Sequence, residues 1–187
     1  MRIALPGQAA TAADFDSPLA MLADCHRRVE RQCATLARLV PHLEANGSDT
    51  AASEAATAVM RYFDTAAPNH HADEEDDLFP ALIESMAGSD AVCLRKIIAA
   101  LRADHGELDR HWAALRPVLA AVAAGQSATL SAEDVQGFAD LYARHIAREE
   151  GELLPIAGRL LGDADLERIG GEMRRRRGMD TAASRSP

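Results

Sequence analysis

From Pro18 onward, apolar residues return every three or four positions. Leu22, His26, Val29, Cys33, Leu36 and Val40 fall at steps of four and three, the seam of a helix that faces other helices. Ser17-Pro18 offers a capping hydroxyl and a proline at the first helical position, and Gly47 marks the end. A second segment, from about Ala51 to Met86, carries Val59, Phe63, Ala66, His70 and Glu74 on one side. Its Pro68 and Pro80 each remove a backbone donor, so they are expected to kink or locally widen the helix, which Gly88 closes. The third segment is the most regular, with Leu94, Ile98, Leu101, His105, Leu108, Trp112, Leu115, Leu119 and Val122 before Gly125. The fourth begins at Ser131, three residues before Asp134, in the manner of a capping box. Its seam is Val135, Phe138, Tyr142, His145, Glu149 and Ile156, and it fades near Gly162.

Nothing reads as a strand. Four long amphipathic helices with short connections predict an all-α, antiparallel up-down-up-down four-helix bundle. A short fifth helix is expected over Asp163 to Met173. Residues 1–16 read as a flexible arm, 17–162 as the bundle, and 163–187 as the short helix followed by a disordered basic tail.

Composition agrees with this architecture. The 187 residues are 48% hydrophobic, enough for one well-buried core, and only 4% aromatic with abundant alanine, which favours helices. A net charge of −9 disfavours nucleic acid, because phosphates require clustered cations. The four arginines Arg174 to Arg177 read as a solvated end. Cys25, Cys33 and Cys93 are odd in number and lack metal-binding spacing, which suits reduced thiols in the cytoplasm. No stretch is apolar for long enough to span a bilayer, and Met1 to Gln8 lacks a signal-peptide core.

The chemistry is carried by the histidines. Of seven, His26, His70, His105 and His145 each occupy a seam position, one per helix. One seam histidine is ordinarily a satisfied core residue, but four on facing helices all need partners, and a shared metal centre satisfies them together. Glu74 lies four residues after His70 and Glu149 four after His145, so each pair shares a helix face. Buried carboxylates are costly unless paired or coordinated. Asp73, Glu75, Asp76 and Asp77 fit a solvated charge run, whereas Glu74 and Glu149 follow the seam.

An internal repeat decides between His70 and His71. His70-His71-Ala72-Asp73-Glu74-Glu75, ending in Leu78-Phe79-Pro80, aligns without gaps on His145-Ile146-Ala147-Arg148-Glu149-Glu150, ending in Leu153-Leu154-Pro155. His71 therefore matches Ile146, which cannot bind metal, and is set aside. Leu22 before His26 and Leu101 before His105 extend the repeat to the other two helices. Heptad spacing from the histidines predicts a bulky apolar layer of Cys33, Phe63, Trp112 and Phe138 on one side of the site.

The segment His-His-Ala-Asp-Glu-Glu-Asp-Asp-Leu-Phe-Pro, with its repeat in the fourth helix, resembles the hemerythrin-type cation-binding family over about residues 17 to 160. The resemblance implies a non-haem di-iron site, with His26, His70, His105 and His145 as terminal ligands and Glu74 and Glu149 bridging. Oxygen-carrying hemerythrins place two histidines four apart on the third helix. Here Leu101 and Asp109 stand four residues either side of His105. The four-histidine, two-glutamate set is similar instead to the iron-centre repair proteins of that superfamily, without their cysteine-bearing amino-terminal domain.

Imidazole and carboxylate ligands suit iron, with manganese or zinc also possible. Four histidines and two bridging carboxylates fill about eight of roughly twelve positions on two six-coordinate metals, leaving room for dioxygen, nitric oxide or peroxide. Three readings follow: a sensor or binding protein for such a ligand, an enzyme turning over peroxide or nitric oxide or repairing iron clusters, and a structural bundle holding zinc or no metal. Tyr142 is a candidate to hydrogen-bond a bound oxygen species, and His42 and His111 are expected away from the ligands. A ferritin-like Glu-xx-His spacing is absent.

Overall fold

A computed structural model describes residues 15–86 and 90–179, and its regular elements are all helical: α1 (Pro18–Asn46), α2 (residues 50–85), α3 (Asp90–Ala123), α4 (residues 132–160) and α5 (Asp163–Arg176). Asp49 and Ser131 start α2 and α4 by accepting from the backbone N–H groups of Ala52 and Asp134, whereas Ser17 makes no such bond and α1 begins on Pro18 alone. Gly47 and Gly125 end α1 and α3 at φ of 67° and 70°, a conformation that favours glycine. Gly88 lies outside the described residues.

Each of α1 and α3 packs against both α2 and α4, so the four helices ring a common interior. That interior is two apolar clusters. One contains Val29, Cys33, Leu36, Phe63, Leu108, Phe138 and Tyr142; the other contains Leu22, Leu78, Phe79, Leu82, Ile98, Leu101 and Leu153. Along α1, α2 and α3 the seam histidine falls between the residues of the two clusters, and on α4 His145 lies at the edge of the first, next to Ile146.

The expected bulky layer forms in the first cluster. The Phe63 ring centroid lies 5.0 Å from those of both Trp112 and Phe138, tilted to the first and edge-on to the second, and Cys33 is buried in the same cluster. Desolvation raises the Cys33 thiol to about 12, so it stays protonated and inert.

Prolines set the local shape of α2. The backbone widens into π-helical turns at Tyr62–Ala66 and Asp73–Leu78, each closing just before a proline, Pro68 and Pro80. A proline ring clashes with the carbonyl four residues back, and an extra residue in the turn relieves the clash. The same device at Glu149–Leu153, ahead of Pro155, was not anticipated for α4.

Two expectations at the chain ends need correction. Phe15, assigned to the arm, is buried in the second cluster, and its carbonyl lies where a Cβ on Gly170 would sit 2.1 Å away. Only glycine permits that approach between α5 and the start of α1. The arginine run is not wholly a solvated end either: α5 continues to Arg176. Arg176 and Arg177 both pair with Asp73, and Arg176 also reaches Asp77 at 2.8 Å. Asp73 and Asp77 are therefore buried, and of the acidic run on α2 Asp76 is the solvated member, 68% exposed. Residues 180–187 lie outside the described segment.

Candidate metal centre

Between the two clusters, α1, α2, α3 and α4 bring His26, His70, Glu74, His105, His145 and Glu149 together, all buried. His26 and His70 meet edge to face at 5.1 Å, and the His105 and His145 rings lie 4.8 Å apart. Each carboxylate spans two histidines. Glu74 presents Oε1 to His70 Nε2 at 3.0 Å and Oε2 to His105 Nε2 at 3.1 Å. Glu149 presents Oε2 to His26 Nε2 at 2.7 Å and Oε1 to His145 Nε2 at 3.5 Å.

These approaches are close but not directed as hydrogen bonds. All four carboxylate oxygens, with Nε2 of His26, His105 and His145, are buried and lack a hydrogen-bond partner. Such a concentration of orphaned polar atoms is costly without a shared partner. One ligand atom each from His26, His70, Glu74 and Glu149 can gather within 4.8 Å of one another, and so can one each from Glu74, His105, His145 and Glu149. A donor set of imidazole nitrogens and carboxylate oxygens in that space fits a transition-metal centre.

The outer contacts set the tautomers. His26 Nδ1 donates to Glu150 Oε1 at 2.9 Å, and His105 Nδ1 donates to Glu75 Oε1 at 2.5 Å. A carboxylate only accepts, so these protons sit on Nδ1 and leave the Nε2 lone pairs aimed inward. Glu75, read from the sequence as solvated, is thus an orienting residue, and so is its repeat partner Glu150. The Cys25 thiol lies against His70, and Asp104, paired with Arg148, stands 3.7 Å from His145 Nδ1.

Against this geometry, comparison with known proteins is decisive. The family model described as the hemerythrin HHE cation-binding domain matches residues 17–157. The chain belongs to that family. An uncharacterised protein of Haemophilus influenzae is 35% identical over 150 residues, which cover 80% of this chain and 83% of the relative. Membership in the HHE family implies a metal cofactor, and the cluster above is where this member offers ligands for one.

Protonation in the cluster is uneven. Burial pushes the Glu149 carboxyl up to about 7, with the charge of Glu74 adding to it. Burial acts on Glu74 in the same direction, but the facing His70 and His105 outweigh it and hold Glu74 well below the usual carboxylate range. Desolvation drops His145 to about 3, whereas His70, opposed by burial, is raised by Glu74.

One further histidine enters the site. His71, set aside on the strength of the repeat, has a buried Nε2 without a partner and stacks on His105 at 4.0 Å and 14°. A repeat alignment detects only what both halves share, so a residue that serves one half leaves no signal there. Tyr142 is buried in the aromatic layer, its ring 6.4 Å from that of His71, while Asp109 is exposed. His42 bonds to Asp49 at the far turn, and His111 is half-buried. Among the described residues, no helix is long and apolar enough to cross a membrane.

Proposed function

We propose that this protein holds two iron ions, bridged by Glu74 and Glu149, and that the pair binds or reacts with dioxygen, nitric oxide or peroxide. The observation that carries the reading is the two-faced use of each glutamate. Every carboxylate oxygen lies beside a different histidine, His26 and His70 on one side and His105 and His145 on the other. Two ions between these sides satisfy every orphaned atom of the six residues that faces inward. Bound there, iron supplies redox chemistry and coordination positions for a small ligand.

The protein's own residues do the rest. Glu75 and Glu150 fix the imidazole rings through Nδ1, which raises the basicity of Nε2. The layer of Phe63, Trp112 and Phe138 excludes water from one side. The same reading takes the four helices as an antiparallel up-down-up-down run. It is supported by Ser48 and Ser53, which donate to the carbonyls of Gln126 and Ala123 and so join the α1–α2 turn to the end of α3. A cytoplasmic setting suits the three free cysteines.

The test is metal content of the unchelated protein by mass spectrometry, with the optical spectrum recorded before and after dioxygen. Two iron ions per chain and an oxygen-dependent band are expected. A chain that carries neither iron nor a second metal, even after anaerobic reconstitution, overturns the reading.

A further inference from the structure

We propose that His71 is a fifth imidazole of the centre and makes its two metal positions unequal, three histidines serving one and two serving the other. The inference rests on the two-metal reading above. Neighbouring residues on a helix point about 100° apart, so one helix can serve two partners from adjacent positions. That is how α2 is used. His70 turns toward α1, where His26 lies 5.1 Å away between ring centroids, and His71 turns toward α3, where it stacks on His105 at 4.0 Å. Its Nε2 is buried and has no hydrogen-bond partner, so packing explains the ring but not the nitrogen. Nitrogens of His71, His105 and His145 gather within 4.8 Å of one another, close enough to share one ion.

The position of His105 and His145 then has three imidazoles and two carboxylate oxygens, while that of His26 and His70 has two and two. In the repeat, Ile146 takes on α4 the place that His71 takes on α2. Where one position gains a nitrogen, the other gains an apolar side chain, which is buried. The His26–His70 side, with fewer protein donors, therefore keeps more open positions.

The experiment titrates Co²⁺ and then Zn²⁺ into metal-free protein against a competing chelator, for wild type, His71→Ile and His71→Gln. His71→Ile makes the two halves alike. Melting of each metal-free form is recorded alongside. Wild type should bind two ions with unequal affinity. Both variants should weaken the tighter step by at least about 10-fold, the scale of an altered metal shell, and change its cobalt visible spectrum. The metal-free His71→Ile form should melt no lower than wild type, because a buried unpartnered nitrogen has been removed. Unchanged affinities, or a metal-free form destabilised as much as the loaded one, would show that His71 only packs and would overturn the proposal. A wild type that binds one ion or none would overturn instead the two-metal reading on which it rests.

Discussion

Residues 70–75 of α2 and 145–150 of α4 are two copies of one segment placed in different surroundings. Both hold a histidine and a glutamate four apart, and both follow the glutamate with a second one that orients a histidine on another helix. Between these shared positions they diverge. Asp73 is fully buried against Arg176 and Arg177, whereas its counterpart Arg148 is 31% exposed and pairs with Asp104. His71 and Ile146 apart, the histidines and glutamates that the two segments share serve the centre, and the divergent Asp73 and Arg148 face whatever the fold supplies outside it. Symmetry has been kept where two metals would require it and lost where only one half has a fifth helix.

The strongest way to break the comparison is to remove the bridges. Glu74→Ala and Glu149→Ala should each cost both metal ions, because each carboxylate touches both sides; His70→Ala and His145→Ala should each cost at least one. Metal counting after gel filtration checks both pairs. A glutamate variant that retains two ions would end the equivalence of the halves.

Next in size is the outer difference. Asp73→Ala leaves two arginines, both under one-fifth exposed, Arg176 with Asp76 and Asp77 and Arg177 with no carboxylate partner among the described residues. Breaking a buried ion pair from one side costs about 3–5 kcal/mol. Arg148→Ala, at the matching position but partly solvated, should cost about 1 kcal/mol or less. Chemical denaturation of the two variants measures the contrast, and equal losses would mean that α5 is not held through Asp73.

A smaller effect comes from protons in the metal-free protein. Glu149 has a folded pKa raised to about 7 from 4.5. Its contribution to stability is complete below pH 4.5 and is lost as the pH climbs through about 7. Glu74 is shifted downward, so its contribution is present above pH 4.5 and is lost on acidification. Glu149→Gln should therefore gain on metal-free wild type in thermal melts as the pH rises from about 5 to 8, while Glu74→Gln should stay below wild type by a steady margin over that range and close the gap only below about pH 4.5. Parallel curves would mean that the two carboxylates are interchangeable.

Much of this was legible in the chain. Heptad spacing foretold the aromatic layer, and Pro68 and Pro80 foretold the widened turns. Other features needed the fold. Asp73 looked solvated because its arginine partners stand about a hundred positions later, beyond any local pattern. Glu75 and Glu150 looked like surface charges because the rings they orient lie on other helices. His71 was hidden by the repeat itself, which rewards likeness between the halves and is silent about difference.

The widened turns also act as a phase shift. Up to Glu149, the buried positions of α4 advance by three and four, through Val135, Phe138, Tyr142 and His145; beyond it they advance by four, through Leu153, Ala157 and Leu161. On α2 the same change follows Glu74, at Leu78 and Leu82. A straight α-helix turns about 100° per residue, so four-step spacing drifts off its face unless a turn is widened. The turn that accommodates each proline thus keeps two rhythms in register, one suited to ligands and one to the apolar floor beneath them. A single-residue deletion within 75–78 or 150–153 would change no ligand, yet it would swing the floor by about a quarter turn relative to the centre. At these two places the chain conserves a count as well as a composition.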